Sequence, residues 1–205
     1  MAPTMKPKNT NQCQNLMLTA LSAYYKKNNS IRKQLFELIH GDAQVSLRLI
    51  DWFVTHYARV NNIVYWIDNN TGQIYDIYPD TSPEVNVNDL RKFNLYLDYR
   101  AQLQSYTKLF FDPFRRYSRI SFVLEEEPLL SIESTVGQLN FFRWALQNGV
   151  VTYIQNNISR IEESMTNFQK QTKHVDTQVK QRNKKNKQIV HAHTITHIPC
   201  LIHFD

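Results

Sequence analysis

The apolar residues of this chain change their period at Asn61-Asn62, and that change constrains the fold more than any other feature. Before it, Leu47, Ile50, Phe53, Val54 and Tyr57 recur at three- and four-residue spacing behind Ser46, a side chain suited to capping a helix. After it, IVYWI (63–67) and QIYDIY (73–78) are β-branched and aromatic, and DNNTG between them reads as the turn of a hairpin. A helix opened by Thr10 or Asn11 is expected to run to about Lys27, where Asn28-Asn29-Ser30 stops it. A shorter helix, IRKQLFELIH, is expected to end at Gly41.

Further along, FNLYLDY (93–99) reads as a strand entering a short helix, AQLQSYTKLF, which Asp112-Pro113 breaks. RISFVL (119–124) reads as a strand, followed by an acidic loop from Glu125 to Pro128. Thr135 and Gln138 form a T-x-x-Q capping pair that opens GQLNFFRWALQ, and Asn148-Gly149 interrupts that helix. Helical spacing resumes through Ile154, Ile158, Ile161 and Met165. The final stretch, QIVHAHTITHIPCLIHFD, alternates like a strand and breaks at Pro199.

These readings give an α+β fold: N-terminal helices, a small mostly antiparallel sheet over 63–124, and a C-terminal helical segment over 135–168. A basic tether and a terminal strand complete it. The expected division is a disordered N-terminus (1–10), one domain (11–168), the tether (169–187) and the strand (188–205). That strand either returns to the sheet or pairs with a partner's edge, which would make a strand-mediated oligomer. With 42% hydrophobic and 12% aromatic residues, the chain has enough apolar surface for a sizeable core. No run approaches the roughly 18 apolar residues of a membrane span, and MAPTMKPKNTNQCQ lacks a signal-peptide core, so no membrane insertion is expected. Two cysteines, Cys13 and Cys200, are too few for a disulfide framework and point to a reducing compartment.

The charge is segregated. Residues 170–187 carry Lys170, Lys173, Lys180, Arg182, Lys184, Lys185 and Lys187 against Asp176 alone, a net +6 that equals the charge of the whole chain. The other 187 residues balance at 17 basic and 17 acidic. A near-neutral body with one cationic segment is arranged to meet a polyanion, and each phosphate neutralised would release counterions. The competing reading is a solvated linker of the same composition. FDPFRRYSR (111–119) adds Arg115, Arg116 and Arg119 among Phe111, Phe114 and Tyr117, where guanidinium forks bind phosphate and rings stack on bases. The favoured reading of that segment is structural: Pro113 fixes a turn, Phe111 and Phe114 anchor it in the core, and the arginines pair with Glu125–Glu127.

His191, His193, His197, Cys200 and His203 form the densest set of potential metal ligands. On a strand His191 and His193 can share an ion, but His197 lies too far along and Cys200 points the other way. A polar strand face is therefore favoured over a metal site. Phe141 to Arg160 has helix-turn-helix spacing at Ala145, Gly149 and Ile158, but Gln155 falls where an apolar residue belongs, so two core helices are favoured. No HExxH, P-loop, G-x-S-x-G or C-x-x-C pattern is present. No catalytic residue and no cofactor is nominated, and the chain is not expected to be an enzyme.

SLRLIDWFVTHYAR (46–59), YRAQLQSYTKLFFDPFRRYSRISF (99–122) and TVGQLNFFRWALQNGVVTYI (135–154) together resemble an uncharacterised protein family of nucleocytoplasmic large DNA viruses, the giant viruses. The FDPFRR segment departs from that resemblance, which implies a cysteine where Phe114 or Arg115 stands. The family has no assigned activity, so the likeness implies a setting: the cytoplasmic viral factory or the virion, with the nucleus as a further location. The expectation is a non-enzymatic viral protein that binds nucleic acid, DNA above all, through 170–187, with Arg115, Arg116 and Arg119 assisting in genome packaging or viral gene expression. The alternative is a minor virion or assembly protein whose tether docks on an acidic protein surface and whose Trp52, Trp66 or Trp144 buries against neighbours. A third reading is a metal protein or enzyme using the terminal histidines.

Overall fold

The computed structural model describes residues 7–79, 86–125 and 130–172. Two compact units divide the chain, Met1–Glu162 and Glu163–Asp205. The first contains every buried apolar side chain among the described residues. The second is described as far as residue 172, as the later part of a helix over 158–172. The expected terminal strand lies outside the described residues.

Helix α1 (Pro7–Lys26) begins ahead of the expected start at Thr10 and buries Leu21 and Tyr25, one helical turn apart. Asn28 does more than stop it. Its Oδ1 accepts the Ile31 N–H at 3.3 Å and so caps α2 (Asn29–His40), which ends at Gly41 in the left-handed region at φ 82°. Ser46 Oγ accepts the Leu49 N–H at 3.2 Å and opens α3 (Leu47–Trp52). The chain then runs through a π-helical turn, Phe53–Tyr57, into α4 (Ala58–Val60). That wide turn, closed by the Ala58 N–H on the Phe53 carbonyl, keeps Leu49, Ile50, Phe53, Val54, Tyr57 and Ala58 all buried.

The expected hairpin forms between β1 (Val64–Asp68) and a short β2 (Ile74–Tyr75). Asp68 builds the turn: its Oδ1 accepts the N–H groups of Asn70 at 2.8 Å and Thr71 at 3.2 Å, and Gly72 closes it at φ 74°. Strand β3 (Leu90–Asn94) pairs antiparallel on the other side of β1, giving the order β2-β1-β3. Tyr65, Ile67 and Phe93 face the core.

Two expectations need correction here. FNLYLDY is not a strand to its end: Asn94 Oδ1 accepts the Leu97 N–H at 3.1 Å, so α5 (Leu95–Phe110) starts directly after β3. A capping asparagine overrides the alternating pattern that follows it. Helix α5 is itself kinked at Thr107, whose φ of 57° is strained for a β-branched residue. Second, the described residues of 63–124 do not form a single sheet. Strand β4 (Ile120–Glu125) pairs with β5 (Leu130–Ser134), which immediately follows it, as a separate two-stranded sheet with a bulge between Val123 and Glu125. The nearest partner in sequence costs least to bring together.

Helix α6 (Val136–Gln147) opens as expected, with Thr135 Oγ1 accepting the Gln138 N–H at 3.2 Å. It buries Val136, Leu139, Phe141, Phe142, Trp144 and Ala145. Tyr25 packs behind it and donates its hydroxyl to the Leu139 carbonyl at 2.8 Å. Phe111 meets Trp144 edge-on with ring centroids 5.6 Å apart. Trp144 is thus a core residue and cannot serve a partner. Gly149, at φ 66°, turns the chain into α7 (Val150–Asn156), whose Val150, Val151, Tyr153 and Ile154 are buried. Helices α6 and α7 are core helices, and α7 leaves Thr152, Gln155 and Asn156 exposed on its outer side. No helix among the described residues is long and apolar enough to cross a membrane.

Gly149 carries the first prediction. A Cβ there would stand 2.7 Å from Ile74 Cγ2, in a backbone conformation unfavourable to any other residue. Gly149→Ala should destabilise the protein by about 1–2 kcal/mol or more, measured by denaturant unfolding. A second concerns Asp51, whose carboxyl burial holds above the usual range, with Asp112 adding to the shift and Lys108 opposing it. A raised folded-state value means stability is greatest when the group is protonated and falls as pH rises through that value. Asp51→Asn should therefore raise Tm at pH 7, and the gain should vanish on acidification below the ordinary aspartate range.

Candidate nucleic-acid interface

The loop between α5 and β4 is fastened to the first turn of α6. Gln138 Nε2 donates to the Pro113 carbonyl at 2.8 Å, Asn140 Nδ2 to the Phe110 carbonyl at 2.9 Å, and the Asp112 N–H to the Gly137 carbonyl at 3.3 Å. Thr135 Oγ1 donates to the Arg115 carbonyl at 3.4 Å. Gly137 permits this approach, because a Cβ there would lie 3.2 Å from the Leu109 carbonyl oxygen. The reciprocal half of the capping pair is given up as a result: the Gln138 side chain turns to Pro113 and accepts from Ser134 Oγ instead. Within the loop, Asp112 Oδ1 accepts the Phe114 N–H at 2.8 Å.

On this rigid base the aromatic residues divide. Phe111 is buried, while Phe114 is 43% and Tyr117 79% exposed. The expectation that Phe114 anchors the loop in the core is therefore wrong: the hydrogen bonds to α6 hold the turn without it. Arg116 is exposed and Arg115 half-buried. Arg119 pairs with Glu133, Nη1 to Oε2 at 2.8 Å, across β4 and β5. The expected arginine partner, Glu125, instead meets Arg32 at 3.6 Å, and Glu126 and Glu127 lie outside the described residues. The loop thus displays two guanidiniums and two rings, with Arg119 engaged by its neighbour.

Of the basic segment, Lys170 is exposed on the helix over 158–172. Lys173, Lys180, Arg182, Lys184, Lys185 and Lys187 lie outside the described residues, as do His191, His193, His197 and Cys200. Cys13 is exposed and free. Among the described residues, no group of three or more His, Cys, Asp or Glu side chains is placed to hold a metal ion.

Two features have no signature in the sequence. On β3, Arg91 lies over Phe93 and Lys92 over Trp66, with 5.3 and 5.7 Å to the ring centroids. Beside them a polar cleft of about 410 Å³ opens between β1, β3, α5 and α6, with Arg91, Asp98 and Arg143 in its walls. Arg143 stands inside the apolar run FFRWAL, and nothing in that run distinguishes it from a surface residue of an amphipathic helix.

Residues 3–201 match a family of unknown function, DUF7197. The chain belongs to that family. It is also 30% identical over 142 residues to uncharacterized protein L507 of Acanthamoeba polyphaga mimivirus, a match spanning 68% of this chain and 48% of that protein. The chain thus covers about half the length of its mimivirus relative. No solved structure matches it. DUF7197 is the uncharacterised giant-virus family that the three resembling segments implied. Those segments meet in one place: Phe53 packs on Tyr153 at 5.6 Å, Phe111 on Trp144, and the Asp51 charge is felt by Tyr99.

The loop generates the third prediction. Gln138→Ala removes the bond to Pro113 and should cost about 1 kcal/mol of stability. Amide exchange over 112–119 should accelerate while protection in α6 beyond its first turn persists; unchanged exchange in the loop would show that Gln138 does not hold it.

Proposed function

We propose that this DUF7197 protein binds nucleic acid electrostatically and carries out no chemistry on it. The observation that carries the reading is the segregation of charge: residues 170–187 hold the entire net +6. Lysine and arginine in such a segment exchange condensed counterions for phosphates, with an affinity indifferent to sequence and steeply dependent on salt. The loop supports the same reading with exposed Phe114 and Tyr117 beside Arg115 and Arg116, a stacking and phosphate-pairing surface on a fixed base. Arg119 contributes less, since binding phosphate would cost its bond to Glu133. The setting proposed is genome packaging or viral gene expression, in the viral factory or the virion, with DNA as the ligand.

Replacing Lys180, Arg182, Lys184, Lys185 and Lys187 with Gln tests this in the full chain. Retention on duplex DNA should weaken, and the log–log salt slope should flatten by up to about 4.5, about 0.9 for each of five phosphates no longer neutralised. Binding and slope that survive the five changes would refute the reading. A salt-resistant complex with a virion component, without retention on DNA, would replace it with docking on an acidic protein surface.

A further inference from the structure

The polar cleft between β1, β3, α5 and α6 has a chemistry of its own. Asp98 and Gln102 stand one turn apart on α5, and Arg143 and Gln147 one turn apart on α6, so each helix presents a charge and an amide to the same space. Arg91 enters from β3, one of its guanidinium nitrogens donating to Asn148 Oδ1 at 2.9 Å.

The acceptors are largely engaged. Asp98 Oδ1 takes the Trp144 indole N–H at 2.6 Å, and Asp68 Oδ1 is committed to the backbone of its own turn. The donors are not. Arg143 Nε is buried without a hydrogen-bond partner among the described residues, a costly state for a guanidinium N–H. No ion pair among the described residues joins Arg91 or Arg143 to Asp98 or Asp68, although all four line the cleft. Unspent guanidinium donors call for an oxyanion, and a fork of this kind fits phosphate. The free carboxylate oxygen of Asp98 and the glutamine amides suit a second, hydrogen-bonding part of the same molecule. A volume of about 410 Å³ lies within the range of small-molecule sites, and the mostly polar walls suit a polar occupant better than a lipid-like one.

We propose that this cleft binds a phosphorylated molecule of mononucleotide size, its phosphate on Arg91 and Arg143 and its base edge toward Asp98, Gln102 and Gln147. Isothermal titration of the full chain against the four nucleoside monophosphates, their nucleosides and inorganic phosphate tests it. At least one monophosphate should bind below millimolar, with its nucleoside and inorganic phosphate each about tenfold weaker or more. Arg91→Gln and Arg143→Gln should each weaken it by about tenfold or more, as expected for removal of a charge-assisted bond. Asp98→Asn should change the preference among bases. Arg91 is exposed on its strand, so Arg91→Gln keeps the test valid if Arg143→Gln fails to fold. Absence of submillimolar binding, equal binding of inorganic phosphate, or indifference to Arg91→Gln would each overturn the assignment. The five-glutamine variant of the basic segment changes no residue that lines the cleft and should retain the nucleotide even if it no longer holds DNA; failure to bind the nucleotide there would place binding on the segment and overturn the cleft.

Discussion

Helix α6 is apolar on most of its sides, and the described elements of the first unit are arranged around it. Leu139, Phe141, Phe142, Trp144 and Ala145 are buried on several sides of α6, which meets water mainly where Arg143 and Gln147 line the cleft, so the helix has to be surrounded rather than laid on a surface. Helix α1 closes one side through Tyr25, and α5 and Phe111 close another. The loop after α5 caps its N-terminal turn, and α7 folds back through Gly149. The small sheets are peripheral in this sense: each pairs locally and adds Tyr65, Phe122 or Ile132 to a core whose centre is helical.

An enclosed helix makes every polar residue on it consequential. Asn140, 1% exposed, spends its amide on the Phe110 carbonyl and so fixes the arginine-bearing loop. Arg143 has no such outlet. Its charge reaches Tyr24 and Tyr25 on one side, where it opposes the upward push of burial on their phenols, and the cleft on the other. One apolar helix therefore positions both arginine-bearing surfaces of the body, the loop and the cleft, through Gln138 and Asn140 at its start and Arg143 further on. This also explains why the three resembling segments lie far apart in the chain and together in space.

Much of this was legible where a local rule decides the outcome. Ser46, Gly41, Thr135 and Gly149 each act through backbone groups a few residues away, and each stands where its chemistry required. Failure came where a local signal had two uses. Asn94 sits inside an alternating run that looks like strand, yet its side chain starts a helix, and Asn28 both ends one helix and caps the next. The fate of Phe114 was illegible for a different reason. Whether a ring beside proline is buried depends on how closely the loop approaches α6, and Gly137 and Gln138 set that distance from more than twenty residues away. The cleft was invisible altogether, since Arg91, Asp98 and Arg143 have no common spacing and converge only through β3, α5 and α6.

The basic segment and the arginine-lined cleft differ in electrostatic reach. In the cleft, carboxylates stand among the guanidiniums, so their fields largely cancel beyond a few ångströms, and screening over about 8 Å at physiological ionic strength removes the rest. A site of that kind would select what has already arrived. Residues 170–187 have one acid among seven bases, and their field survives to the screening length. The two proposed roles, attraction of a polyanion and discrimination of a small phosphate, would thus be separable in this chain, with different dependence on salt: steep for the segment, shallow for a partly desolvated cleft. A near-neutral body makes that separation possible, because a charged body would pull every polyanion across the mouth of the cleft.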